Sequence, residues 1–224
     1  MNIIRRLGLL AMIVTLGACA THSEPYDYGA FKESDPRSIL VLMPTNESPE
    51  AQAEYGVWAQ THRPQAESGY YVFPAALVNA TFRSNGMTQG DDIQKIPLNK
   101  LRDIFGADAV LYLNIEQYGT SYRLIESVTK VKISGRLLDA RTGRELWRGT
   151  ANASNQENQQ NQNQGILGAL ISAAINQIAD TVGDRSYDVA GIADYRLLGA
   201  GGNRDMLYGP RSPHYWKNPQ PVQP

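Results

Sequence analysis

The chain has 224 residues, a formal net charge of −1 and 42% hydrophobic residues, enough to build one domain with tails. Its 21 basic and 22 acidic side chains are interspersed, so nothing in the balance points to nucleic acid. A single cysteine, Cys19, excludes an intrachain disulfide, and the core alone must hold the fold together.

Residues 1–18 carry Arg5 and Arg6, then the apolar run from Leu7 to Leu16, then the small residues Gly17 and Ala18. This order describes a secretory signal peptide. The run is shorter than the roughly 20 apolar residues a bilayer span needs. Cys19 follows the small residues directly and is expected to be the acylated N-terminus of a 206-residue mature chain. One acyl chain binds a membrane only marginally. Residues 19–37, polar with Pro25, Gly29 and Pro36, are expected to be a tether.

The domain is expected over 38–198. Ile39 to Met43, stopped by Pro44, reads as a strand buried on both faces. Ser48-Pro49 suggests an N-cap and first turn of a helix to about Gln60. Gly69 to Phe73 is a short aromatic strand, explained by a strand leading into a helix. Pro74 opens that helix, closed at Asn85-Gly86, and Pro97 opens another, closed by Gly106. Ala109 to Ile115 is the clearest strand. Two longer strands, 122–139 and 144–154, follow a turn at 117–121 and are joined by the glycine-bearing hairpin turn 139–143. Leu124 and Val128 differ in parity from Val131, Ile133 and Leu137, which a bulge near Thr129 and Lys130 would reconcile.

Residues 154–164 are a Gln/Asn-rich loop without apolar surface to bury. The stretch 166–182 carries a wide apolar stripe, read as a helix covering a sheet in preference to a membrane or partner contact. A last turn or two of helix is expected over 187–197. Strands alternating with helices and then an antiparallel meander predict a single α/β domain, a mixed sheet of about five strands flanked by helices.

Signatures of catalysis are missing. His22, His62 and His214 have no partner at metal-ligand spacing, and no nucleophile elbow, phosphate loop or dinucleotide fingerprint occurs. No metal and no cofactor is therefore expected. Asp91 and Asp92 read as a solvated loop, and Glu116 and Glu126 as surface charges beside a turn. The Gly/Pro-rich segment 199–224 is more informative. Tyr208, Pro210, Arg211, Pro213, Tyr215 and Trp216 place aromatics in a semi-rigid chain, suited to docking a partner or to packing back over the domain.

The stretches Gly69 to Pro74, Phe105 to Tyr112, Leu138 to Gly143 with Trp147, Asp184 to Tyr187 and Leu207 to Pro213 resemble a family of uncharacterised Gram-negative lipoproteins first noted as vaccine-candidate antigens. At fold level the chain resembles the curli-secretion lipoprotein CsgG, the penicillin-binding-protein activator LpoB and the N-terminal domain of TolB. The resemblance implies triacylation at Cys19. Because Ala20, not aspartate, follows, it implies the outer membrane and a non-enzymatic binding or assembly role with an envelope protein partner. A solute-binding component of a transport system is the alternative, and an enzyme with an unrecognised site a further one. Strand 122–139 interleaves Arg123, Glu126, Lys130, Lys132 and Arg136 with its apolar residues, against the alternating apolar band a membrane hairpin needs. Oligomeric state stays open.

Overall fold

The computed structural model describes residues 26–122, 127–156, 185–202 and 204–218. The signal peptide, Cys19, residues 157–164 of the Gln/Asn-rich loop and the 166–182 stripe lie outside the described residues. So do Leu124 and Glu126.

The architecture is a mixed open sheet flanked by helices, as the strand and helix order predicts. The chain begins with α1 (Gly29–Ser34), then β1 (Ser38–Val41), β2 (Thr45–Asn46), α2 (Ala53–Gln60), α3 (His62–Glu67) and β3 (Tyr71–Val72). There follow α4 (Ala75–Ser84), α5 (Gly90–Ile93), α6 (Leu98–Phe105), β4 (Ala109–Tyr122), β5 (Ser127–Asp139), β6 (Glu145–Ser154) and α7 (Arg185–Leu198). A 3₁₀ turn, Tyr215–Lys217, closes the described chain. The strand order is β3-β1-β4-β5-β6, with β2 also on β4. β1 runs parallel to β3 and β4, and the β4-β5-β6 meander is antiparallel.

β1 is apolar throughout its centre because both its faces are buried: Ile39, Leu40 and Val41 are at most 1% exposed. The meander instead alternates. Val131, Ile133 and Leu137 of β5 and Trp147, Ala151 and Ala153 of β6 are buried, and α7 packs across β4, β5 and β6 on their side. Gly149 makes room there, since a Cβ on it would sit 2.4 Å from the Trp147 ring. The intervening residues Ser134, Arg136, Arg148 and Thr150 share the opposite face. On the helical side α2 packs against α7, and the Trp58 indole donates to the Val41 carbonyl at 3.1 Å. Gly106, in left-handed conformation at φ 70°, ends α6 as its position after Phe105 predicts.

Several expectations need correction. The helix after Ser48 starts at Ala53: the Ser48 hydroxyl donates to Asn46 Oδ1 and accepts from the Glu50 amide at 3.4 Å, shaping the turn ahead of the helix. β4 continues without interruption to Tyr122, so 117–121 is strand and not turn. The pairing slips in β4 at Glu116, between Ile115 and Gln117, while Thr129 and Lys130 stay in continuous register. No bulge therefore lies at Thr129–Lys130, and Val128 is buried on the face of β5 opposite Val131; Glu116, the extra residue on β4, ion-pairs with Lys132. The final helix is four turns long, not one or two. Residues 29–34, expected as tether, form α1, and its Phe31 is buried with neighbouring Tyr28.

Candidate functional site

Two of the stretches that resemble one family, 69–74 and 207–213, meet in space, and with Trp147 they hold the C-terminal segment on the domain. Gly69 takes φ 96°, a conformation that suits glycine. Its carbonyl accepts from the Arg211 amide at 3.2 Å, and the Ser68 carbonyl accepts from the Gly209 amide at 2.8 Å. A Cβ on Gly209 would lie 2.6 Å from the Gly69 oxygen, so two glycine backbones are required for the approach. The buried Tyr70 hydroxyl donates to the Leu207 carbonyl at 2.5 Å. The Tyr28 hydroxyl donates to the Asp205 carbonyl at 2.5 Å, and the Trp147 indole to the Arg204 carbonyl at 2.9 Å. Met206 and Leu207 are buried. Residues 204–218 therefore pack back over their own domain.

Docking does not bury the aromatics, however. Trp216 is 70% exposed, Tyr71 45% and Tyr215 41%. The Tyr215 hydroxyl donates to Asp35 at 2.9 Å, fixing the 3₁₀ turn to the end of α1. The Arg211 guanidinium lies 5.8 Å from the centre of the Tyr71 ring, and the Lys217 ammonium 5.6 Å from that of Trp216. The Asn218 side chain clasps Tyr208 at both its amide and its carbonyl. Between α1 and this segment lies a hollow of about 270 Å³, with Phe31, Tyr70 and Leu207 among its walls and Lys32, Pro36 and Trp216 also lining it. Of the sequence-predicted residues, Tyr208, Pro210, Tyr215 and Trp216 come together here. Arg211 stands beside them over Tyr71, and Pro213 is exposed. Tyr71, Lys32, Asp35 and Pro36 carried no local signal of this role. Tyr71 read only as part of a short aromatic strand leading into a helix, and it is the residue of β3 that points outward.

Burial pushes the Tyr70 phenol far above its ordinary range, with Asp35 and Tyr215 adding to the effect. Burial, then the charge of Asp205, pushes Tyr28 up to about 12. Both therefore remain donors at physiological pH. Other motif residues act as structural ties. Asp108 accepts from the amides of Arg37 and Ser38 and from the Ser38 hydroxyl, locking the start of β4 to β1. Asp139 accepts from the Arg141 and Thr142 amides and from Ser34, which shapes the hairpin turn and fixes α1 to it. These ties hold its carboxyl below the usual range against the opposing effect of burial.

The remaining candidates are dispersed. Asp91 and Asp92 lie exposed on α5, and Asp92 pairs with Lys95 at 3.3 Å. His62 Nε2 is 2.7 Å from the Phe73 carbonyl, and the His214 ring packs edge-on against Tyr208. Among the described residues no group of three or more His, Cys, Asp or Glu side chains converges as a metal site. Among the same residues no helix is long and apolar enough to cross a membrane.

The chain is 49% identical over 203 residues to lipoprotein NMB1124/NMB1162 of Neisseria meningitidis serogroup B, covering 90% of this chain and 94% of that protein. The crystal structure of lipoprotein GNA1162 from Neisseria meningitidis matches with 51% identity and a TM-score of 0.53, over 65% of this chain and all of the other. The LpoB C-terminal domain from Salmonella enterica is far more distant, at 15% identity and a TM-score of 0.34 over 52% of this chain and 81% of that one. A GNA1162-like family model matches residues 26–211, which takes in α1, the whole sheet and the docked segment as far as Arg211. The chain belongs to the GNA1162-like lipoprotein family.

Proposed function

We propose that this chain is an outer-membrane lipoprotein, acylated at Cys19 and facing the periplasm, that serves as a non-enzymatic docking component for an envelope protein partner. The observation that carries the reading is the aromatic platform of Tyr71, Tyr215 and Trp216. Large aromatic side chains left in water by a segment that is itself fastened down are rigid anchors, and burying them in a partner costs little further entropy. The cations of Arg211 and Lys217 and the carboxylate of Asp35 surround them as a polar rim.

The test is photo-crosslinking in cells from a benzophenone amino acid at position 216, beside the pair of exposed substitutions Trp216→Ser and Tyr71→Ser. One envelope protein should crosslink from position 216 and disappear from the pull-down of the double variant. Equal recovery of the same proteins from both chains would refute the docking role. The anchor is tested separately: Cys19→Ala should leave the protein out of the outer-membrane fraction or uncleaved, and normal fractionation of that variant would refute acylation.

A further inference from the structure

The face of the meander opposite α7 carries a second feature, independent of the aromatic platform. Two cross-strand rows lie on it. Tyr112, Arg136 and Arg148 stand opposite one another on β4, β5 and β6. One pleat further along stand Asn114, Ser134 and Thr150. With Thr45 and Gln94 at one side they line an open trough of about 560 Å³. That volume is within the range of ligand sites, and the walls mix hydroxyls, amides and guanidiniums with the carbon surfaces of Tyr112, Leu113, Gly135 and Gly149.

Directly opposed like charges destabilise a sheet. Arg148 is neutralised, since its guanidinium forks onto Glu145 through two bonds of 2.5 and 2.7 Å. Those contacts occupy both oxygens of Glu145 and hold its carboxyl below the usual range. Arg136, exposed beside them, makes no hydrogen bond or salt bridge among the described residues, and its charge also acts on Glu145, helping to hold that carboxyl low. Further along the same face Lys132 is matched by Glu116. Thr45 donates to Asn114, the Asn114 amide to Glu47, and Gln94 to the carbonyls of Met43 and Leu113. These side chains are committed to the wall. Arg136 and the hydroxyls of Tyr112 and Thr150 are what the trough offers to a ligand.

We propose that this trough binds an acidic saccharide, with the sugar carboxylate on Arg136 and sugar hydroxyls on Tyr112 and Thr150. A guanidinium matches a carboxylate in a planar, two-pronged contact. A sugar suits the rest, because it presents hydroxyls to the polar part of the lining and C–H faces to the carbon surfaces beside it. Two guanidiniums against one carboxylate leave an excess of one positive charge, which sets the demand at one negative charge per site.

Isothermal titration of the detergent-solubilised full chain with trigalacturonate, maltotriose and inorganic phosphate tests it, in the native protein and in Arg136→Gln. Trigalacturonate should bind at least tenfold more tightly than maltotriose, and Arg136→Gln should weaken it about tenfold, the scale of one lost hydrogen-bonded charge contact. No heat from trigalacturonate, equal binding of maltotriose, or equal binding of phosphate would overturn the proposal. So would unchanged affinity in Arg136→Gln. None of these outcomes bears on the aromatic platform, which is elsewhere on the chain.

Discussion

At the scale of single residues, the side chain most at odds with its surroundings is Asp194 on α7. It is 0% exposed, and neither carboxylate oxygen has a hydrogen-bond partner among the described residues. Burial alone pushes its pKa well above the ordinary value. The folded state then holds a proton that the unfolded chain releases near pH 4. Stability from this group is complete below the unfolded pKa and is lost as pH rises through the higher folded one. Asp194→Asn should therefore be more stable than the native chain at pH 8, by about 1–3 kcal/mol, the desolvation cost of an unsatisfied buried group. The gain should shrink toward pH 5. Urea unfolding at the two pH values measures it, and a gain that does not depend on pH would rule out the ionisation account. Gly209 makes a complementary prediction. A methyl at that position meets the Gly69 carbonyl and the Tyr70 ring, so Gly209→Ala should cost about 1–3 kcal/mol in the same assay.

At the scale of elements, the C-terminal segment behaves as part of the fold. Ending the chain at Gly202 removes Met206 and Leu207 from the core and leaves the Tyr70 phenol and the Trp147 indole without their carbonyl acceptors. Two apolar side chains are worth about 1.5–3 kcal/mol each. At about 2–4 °C per kcal/mol, the melting temperature should fall by about 10 °C or more. Calorimetry of the truncated and full chains decides; an unchanged melting temperature would mean that the segment contributes nothing to the domain. The sequence alone could not show this. β1, the 139–143 turn and the Gly106 stop are legible because each depends on residues adjacent in the chain. The docking depends on backbone contacts between residues 68–69 and 209–211, made through glycines that carry no hydrophobic pattern. The misplaced bulge has the same origin. Parity along β5 suggests a defect at Thr129–Lys130 that the continuous pairing excludes, while the slip at Glu116 on β4 leaves no mark in the sequence pattern. The candidate site was legible in part, since the tail aromatics are conspicuous, while Asp35, Lys32 and Tyr71 joined it only through folding.

At the scale of the whole molecule, two tyrosines distant in the sequence tie the ends of the described chain together. Tyr28, just ahead of α1, holds Asp205, and Tyr70, beside β3, holds Leu207. Each hydroxyl must stay protonated to donate. Burial is the largest cause of the raised pKa in both, with about 12 for Tyr28 and a larger displacement for Tyr70. A free phenol ionises near pH 10. The contribution of each tie is thus fully present below pH 10 and is lost as pH rises through the folded-state value. Between pH 10 and pH 12 the segment 204–218 should loosen before the sheet does, because its ties are made through two phenol donors, whereas β4, although it carries the raised phenol of Tyr112, is held by backbone pairing to β1 and β5. Trp216 gives little signal, being already in water, but Trp147 is buried and donates to Arg204, so release of the segment should red-shift its emission while the far-ultraviolet circular dichroism holds. Tyr28→Phe with Tyr70→Phe should show the shifted emission already at neutral pH, with little further change up to pH 12. A native chain that lost fluorescence shift and circular dichroism at one pH would show that the segment and the sheet open as one unit.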